Sequence, residues 1–250
     1  RRVCVPPQFC GPRCDNPRMS GGAVQLINTG AADAILVGQP QITYWRTLHR
    51  RYCNFAIESV PQTWSGTAGF GRRATCTLSR GADLAWRTWV QVRLPALPPE
   101  LRWCNGVGWA LLKAVELEIG GVAVDRQTSE FMDMWTELSE PDSKLRGLNR
   151  MVGKLDAWDA ATNSLGAAPV VLHVPLQFHY CQAPSNALPL VAITYTDVRL
   201  NFEFRELAEL VVPAIAGGAV HADQLAGLEA DVQVYVEGVL LDAEERRRFS

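Results

Sequence analysis

The chain has 250 residues, of which 48% are hydrophobic and 20% charged, and its formal net charge is −2 at pH 7. This composition excludes a wholly disordered protein, and the near-neutral balance offers no global basic field for nucleic acid or anionic lipid. The sequence holds no run of about 18 apolar residues, so we predict no membrane-spanning helix. The length suits one large all-β domain or two smaller domains.

Residues 1–18 differ in character from everything that follows them. They combine Arg, Pro and Gly with Cys4, Cys10 and Cys14 and show no hydrophobic period. We predict a disordered or artefactual leader over 1–18, with Met19 as a natural start, and a single domain over 19–250. A zinc site is the alternative for the three thiols. Without a CxxC pair or a neighbouring His they make a poor tetrahedral set.

Helical signals are few. The segment Ile42–Arg51 is one candidate. A second contains Phe131, Met132, Trp135 and Leu138 on one helical face, and we expect that face to be apolar and to start at an N-cap on Thr128 or Ser129 and stop at Pro141. From 141 to 168 the sequence predicts a long polar loop with no more than a short helical turn. Ordered loops of that length usually carry function or an interface.

Strict alternation of apolar and polar residues is the strongest pattern in the chain. Val115, Leu117 and Ile119 alternate with small or charged neighbours, and Gly120-Gly121 then predicts a hairpin, because two positive φ angles are cheapest for glycine. Repeated alternation of this kind predicts an antiparallel β-sandwich. Its predicted core comprises Phe55, Ile57, Val115, Leu117, Ile119, Leu172, Val174, Leu200, Phe202, Phe204, Val232 and Val234.

Catalytic candidates are weak. His173 and His179 would share a face of one extended segment, Val170–Tyr180, which separates them by roughly 20 Å, too far for one metal ion. Cys181 stands two residues after His179, yet no orienting Asn or Asp and no oxyanion hole accompany the pair. No GxSxG, Walker-type or dinucleotide motif occurs. We therefore predict no catalytic, metal-binding or cofactor-binding residue and no cofactor.

Four stretches, in order along the chain, resemble one protein family. Gly38–Glu58 is similar to a pattern of Gly-x-Pro-Gln-Ile-Thr, two aromatics, Arg-Arg-Tyr and Asn-Phe-Ala-Ile-Glu; Leu241–Phe249 is similar to Leu-Asp-x-x-Glu-Arg-x-Arg-Phe. Between them lie Val115–Gly121 and Val174–Phe178, the latter followed by Ala187–Ile193. Together they resemble the major capsid proteins of nucleocytoplasmic large DNA viruses, of the phycodnavirus type.

The resemblance implies a jelly-roll β-sandwich of two antiparallel four-stranded sheets, with one or two short helices and long loops. It implies a structural subunit of an icosahedral capsid, which is not an enzyme. Its partners would be other copies in a trimeric capsomer and minor capsid proteins, without direct binding of nucleic acid. The protein would be made and assembled in the host cytoplasm and would reside in the virion.

Family members carry two jelly rolls in tandem, and the second has no counterpart in these 250 residues. We expect the chain by itself to be a monomer or a heterogeneous self-associating species, not a closed trimer. An alternative is a jelly-roll module that binds carbohydrate or protein, which exposed aromatics converging on one loop end would favour. A jelly-roll enzyme of the cupin type would need a His-x-His strand, which the sequence lacks.

Overall fold

The computed structural model describes residues 21–28, 30–31, 53–155, 166–214, 222–225 and 227–250. The predicted leader over 1–18 and the predicted helix Ile42–Arg51 lie outside these ranges. The strands in chain order are β1 (Phe55–Pro61), β2 (Trp64–Ser65), β3 (Arg73–Thr77), β4 (Leu84–Leu94), β5 (Leu101–Trp103), β6 (Leu112–Ile119), β7 (Val122–Thr128), β8 (Val170–Pro175), β9 (Leu188–Pro189), β10 (Val198–Phe204), β11 (Val211–Pro213) and β12 (Asp231–Leu241).

Helices are short and lie between the strands or beside them. In the described part of the chain they are α1 (Gly21–Ile27), α2 (Val107–Leu111), α3 (Ser129–Ser139), α4 (Asp142–Val152), α5 (His179–Gln182), α6 (Leu207–Leu210), α7 (Ala222–Leu225) and α8 (Ala243–Phe249), with a 3-10 turn at Pro184–Asn186.

The strands form two packed antiparallel sheets. The first sheet has the order β1-β12-β4-β8, with β9 also paired to β4, and the second has the order β2-β3-β10-β6-β7. A separate ribbon pairs β11 with β5. Without the two-residue strands β2 and β9, each sheet has four long strands, and successive long strands alternate between the sheets except at the β6–β7 hairpin, as in a jelly roll. The predicted fold is confirmed, although each sheet has five strands where four were expected.

Most of the predicted core is buried between the two sheets. Ile119 is only half-buried but packs against the core cluster. Where a strand is apolar on one face only, the alternation therefore predicted its inward face correctly. Nine of the twelve predicted residues are buried: Val115, Leu117, Leu172, Val174, Leu200, Phe202, Phe204, Val232 and Val234.

Phe55 and Ile57 are the errors in that prediction. Their side chains are 42% and 45% exposed and lie on the outer face of the first sheet. Ala56 between them is buried instead. Since a one-residue shift exchanges the two faces of a strand, the inward set of β1 is the one that contains Ala56.

Helix α1 explains the register of β1. Ala56 pairs with Leu240 on the inner face of the sheet, and α1 packs on that face. The approach is so close that a Cβ on Gly22 would lie 2.8 Å from Leu240 Cδ1. The Gly22 N–H also donates to the Glu58 carboxylate at 3.2 Å. A small side chain at position 56 is therefore required, and the large neighbours turn outward.

The predicted hairpin between β6 and β7 is confirmed. Ile119 pairs directly with Val122, so Gly120 and Gly121 form a two-residue turn. Their φ angles are 61° and 83°, the left-handed region that glycine enters without steric cost.

The predicted helix near residue 131 is confirmed, but the four apolar residues predicted to share one face are not equally buried. Thr128 is the N-cap, and its hydroxyl accepts a hydrogen bond from the Phe131 N–H at 3.3 Å. Of these four residues, Met132 is fully buried and Trp135 half-buried, whereas Phe131 and Leu138 are exposed. The described part of α3 thus directs an apolar stripe away from the core.

The prediction of a loop from 141 to 168 is wrong for its first part. Helix α4 starts right after Pro141 and ends at Gly153, whose φ of 75° suits a left-handed helix cap. A proline stops one helix but can also open the next, since its missing N–H needs no partner there. Leu148 and Val152, four residues apart, face the sandwich from α4.

Candidate assembly surfaces

The structure separates the histidines that the sequence placed on one strand. Strand β8 ends at Pro175, so His173 lies on the sheet while His179 opens the short helix α5 and is exposed. The prediction of one extended segment with both side chains on one face is therefore wrong. Within the ranges that the structure describes, no group of three or more His, Cys, Asp or Glu side chains is arranged to hold a metal ion.

Cys181 is not arranged as a nucleophile. It lies two residues after His179 in a helix, where such neighbours point in different directions. Burial raises the pKa of the Cys181 thiol to about 11, so the thiolate is scarce at neutral pH. Burial likewise raises the pKa of Cys76 to about 12 and that of Cys104 to about 11. These thiols behave as packed core groups.

A cleft of about 310 Å³ lies where α3 meets the end of the sandwich. Arg205 crosses it, donating to the carbonyl of Ala110 at 3.0 Å and to the hydroxyl of Ser129 at 3.0 Å. The same guanidinium pairs with Glu130 at 3.2 Å. Hydrogen bonds from the backbone N–H of Glu130 and from Ser129 lower the pKa of that carboxyl.

Lys154 closes the other side of this cleft. Its ammonium donates to Asp133 at 2.8 Å and to Glu137 at 2.6 Å, both on α3. Burial alone would lower the pKa of Lys154, but these hydrogen bonds outweigh it and leave the pKa raised. Lys154 and Arg205 are both paired with carboxylates of α3. These two basic side chains therefore act as a clamp that holds α3 on the sandwich.

The outer face of the second sheet is polar and internally paired. Glu203 accepts from Lys113 at 3.0 Å and from Arg73 at 3.2 Å, and these bonds lower the pKa of its carboxyl. Asn201 donates to Glu118 at 2.8 Å and accepts from the Thr75 hydroxyl at 2.9 Å. Such a face is well solvated and needs no covering partner.

The outer face of the first sheet is mixed, with an apolar edge along β1 and β12 and an exposed ion pair between Arg93 and Asp231 at the other end of the strands. Phe55 and Ile57 on β1 lie beside Leu241 and Val239 on β12, with which they pair directly. This face therefore presents contiguous apolar surface at the β1–β12 edge, and apolar patches of this kind mark interaction sites in folded proteins. Further along the same face, Pro61, Tyr235, Trp89, Pro175 and Val171 alternate with the polar residues Ser59, Glu237, Gln233, Gln91 and His173.

Sequence reasoning missed this surface although a signal was present. Strand β1 carries apolar residues in both of its alternating sets, with Phe55 and Ile57 in one and Ala56 and Val60 in the other. A strand that is apolar on both sides is expected to be covered on both sides. The prediction that places Phe55 and Ile57 in the core takes the set with the larger side chains as the inward one.

No helix in the described stretches is both long and apolar enough to span a bilayer.

Comparisons with known proteins agree with this architecture. The chain is 39% identical to the major capsid protein of Phaeocystis pouchetii virus over 93% of this chain and 51% of that relative. It is 35% identical to the major capsid protein of Paramecium bursaria Chlorella virus 1, over 93% of this chain and 50% of that relative. The chain thus spans about half the length of these curated relatives.

Solved structures give the same result. A quasi-atomic structure of the PBCV-1 virus capsid matches with a TM-score of 0.68 and 31% identity, over 83% of this chain and 47% of that one. The Faustovirus major capsid protein matches with a TM-score of 0.62 at 14% identity, which shows a shared fold. The family model described as "Major capsid protein N-terminus" matches residues 43–242, and the chain therefore belongs to this family of major capsid proteins.

Proposed function

We propose that the chain is a structural subunit of an icosahedral viral capsid, which acts by contacting other copies of the capsid protein within a trimeric capsomer. The observation that carries this proposal is the apolar outer face of the first sheet on a jelly roll of the major capsid family. In this account the chain performs no catalysis, needs no metal or cofactor and does not bind nucleic acid directly. It is made and assembled in the host cytoplasm and resides in the virion, where minor capsid proteins are further partners.

The contrast between the two outer faces supports this function. Charged side chains on the second sheet pair with one another, so that face is satisfied in water. On the first sheet, exposed Phe55 and Ile57 leave apolar area in water at a cost of roughly 25 cal/mol for each Å². A neighbouring jelly roll of the capsomer would remove that area from solvent. We propose that this face is the one buried between jelly rolls.

We keep the predicted domain organisation as part of the proposal. Residues 19–250 form one jelly-roll domain, and residues 1–18 are a leader that contributes no structure to it. The described ranges from 53 onward already supply all eight long strands of the sandwich. Removing 1–18 should therefore leave the melting temperature unchanged.

The test is a chimera in which the 250 residues are followed by the second half of the Phaeocystis pouchetii virus major capsid protein. Sedimentation velocity should show a trimer, because the added half supplies surface that can cover the apolar outer face of the first sheet. The control is the same chimera carrying Arg126→Ala on the polar sheet, which should still form trimers. A folded chimera that stays monomeric would contradict the proposed function.

A further inference from the structure

The last helix, α8, has few contacts of its own that hold it on the sandwich. It spans seven residues, Ala243–Phe249, and none of them is buried. Helices shorter than about 12 residues are marginal in water unless tertiary contacts stabilise them. Asp242 caps the first turn by accepting from the Ala243 N–H at 2.7 Å, and Glu245 pairs with Arg248 inside the helix. These local contacts cannot fix the direction of α8 relative to the strands.

An ion pair with a buried carboxylate ties α8 to the sandwich. Arg246 Nε lies 3.0 Å from Asp83 Oδ1, and the Asp83 side chain is only 8% exposed. Asp83 precedes Leu84, the first residue of β4. Its second carboxylate oxygen, Oδ2, accepts from the backbone N–H of Leu241 at 2.8 Å, at the end of β12. One carboxylate therefore holds both the last strand and the helix that follows it.

The position of Asp83 is itself fixed by the fold. Its backbone N–H donates to the carbonyl of Val239 at 3.0 Å, and its carbonyl accepts from the Val191 N–H at 3.0 Å. The turn before β4 also lies directly against β12, because a Cβ on Gly238 would lie 2.5 Å from the Cβ of Ala82. Asp83 is therefore an immobile point, and the orientation of α8 depends on it.

The burial of Asp83 gives this contact its strength. A carboxylate can only accept hydrogen bonds, and leaving it unpaired when buried costs much more than leaving an exposed guanidinium in water. A hydrogen bond between two ionised groups is also stronger than one between neutral groups. In the part of the chain that the structure describes, Leu241 and Arg246 are the donors to this carboxylate. The need of Asp83 for its second donor therefore keeps Arg246, and with it α8, in one place.

We infer that the Asp83–Arg246 pair is a latch that sets the direction in which the chain leaves the jelly roll. With the latch closed, α8 moves as one body with the sandwich. With the latch broken, α8 frays and points in many directions while the sandwich stays folded. In the chimera of the proposed function, α8 joins the two halves, so a closed latch limits their relative orientations. The inference goes beyond the proposed function and does not rest on it.

Backbone ¹⁵N relaxation of the 250-residue chain tests the latch, because it measures the motion of each amide relative to the tumbling of the whole protein. The amides of α8 should have order parameters near about 0.85 in the unaltered chain, as rigid backbone does. Arg246→Gln and Asp83→Asn should each lower them below about 0.6. The double variant should be no more mobile than either single variant, because both substitutions remove the same contact.

The matched control is Arg247→Gln. Arg247 is an exposed residue of the same helix and forms no ion pair within the described ranges, so the substitution removes the same charge without touching the latch. The order parameters of α8 should stay unchanged. The amides of the long strands should remain rigid in every variant, which shows that the sandwich is folded. If Asp83→Asn unfolds it, Arg246→Gln decides alone, since Arg246 is exposed.

Three results would overturn the inference. The first is an α8 that is already mobile in the unaltered chain. The second is an α8 that stays rigid in Arg246→Gln. The third is an Arg247→Gln variant in which α8 is as mobile as in Arg246→Gln, because the helix would then depend on its total charge and not on Asp83.

Discussion

The indole ring of Trp89 stacks on the phenol ring of Tyr235 across β4 and β12, with centroids 5.8 Å apart and planes 11° from parallel. The pair lies on the outer face of the first sheet. Aromatic cross-strand pairs contribute about 0.5–1 kcal/mol beyond the burial of their surface. We therefore expect a double-mutant cycle with Trp89→Ala and Tyr235→Ala to give a coupling energy of about that size. Urea unfolding measures it, and strictly additive effects would contradict the stacking.

The register of the strands gives a second prediction. Phe202→Ala should lower the free energy of unfolding by about 3–5 kcal/mol, because Phe202 is fully enclosed between the sheets. Ile57→Ala should cost less than about 1.5 kcal/mol, since its side chain is on the outer face. Urea unfolding of both variants checks the difference. Equal losses would place Ile57 in the core after all and would reject the register of β1.

Much of the sandwich was predictable because several strands are apolar on one side only. In β10, Leu200 and Phe202 alternate with Asn201 and Glu203, so only one register buries the apolar set. Strand β1 lacks this asymmetry, and the close approach of α1 near Ala56 decides its faces. That approach is a tertiary contact and cannot be read from the alternation of β1.

The helix pair shows the same limit. In α3 the periodicity identified a helix, but Met132 and Leu138 belong to different faces, and only the clamp by Lys154 decides which of them is buried. Helix α4 was missed because its basic residues and Gly147 suggested a polar loop. The candidate surfaces were therefore the least predictable part. They carry apolar residues on the outside of the domain, which the alternation of a strand with one buried face does not predict.

The burial of three cysteine thiols predicts that they react slowly with alkylating reagents in the folded protein. Because burial raises the pKa of Cys76 to about 12 and those of Cys104 and Cys181 to about 11, each is protonated and shielded at neutral pH. Iodoacetamide at pH 7.5 should label these three only when the protein unfolds, as about 6 M urea would cause. Peptide mass spectrometry with and without urea measures this. Rapid labelling of Cys181 in the folded protein would show an activated thiol and reopen the question of catalysis.

The stability of the protein should depend on pH through Glu203 on the outer face of the second sheet. Hydrogen bonds from Lys113 and Arg73 lower its pKa below the ordinary 4.5. A carboxyl with a lowered folded pKa stabilises the fold above its unfolded pKa, and this contribution is lost as the pH falls through the folded value. Glu203→Gln should therefore reduce stability at pH 7 and make little difference at the acid end of the titration. Melting temperatures of both proteins across pH 7 to 3 check this, and a constant difference would contradict the role of Glu203.

We propose that this jelly roll is a capsid subunit whose first sheet is covered by a neighbouring jelly roll. Cryo-electron microscopy of the chimera with the second half of the Phaeocystis pouchetii virus protein tests it most directly. We expect a threefold particle in which Phe55, Ile57 and the stacked Trp89–Tyr235 pair lie within a contact, while Glu203 and Arg73 face solvent. A particle in which the polar sheet forms the contact and the apolar sheet faces solvent would contradict the account.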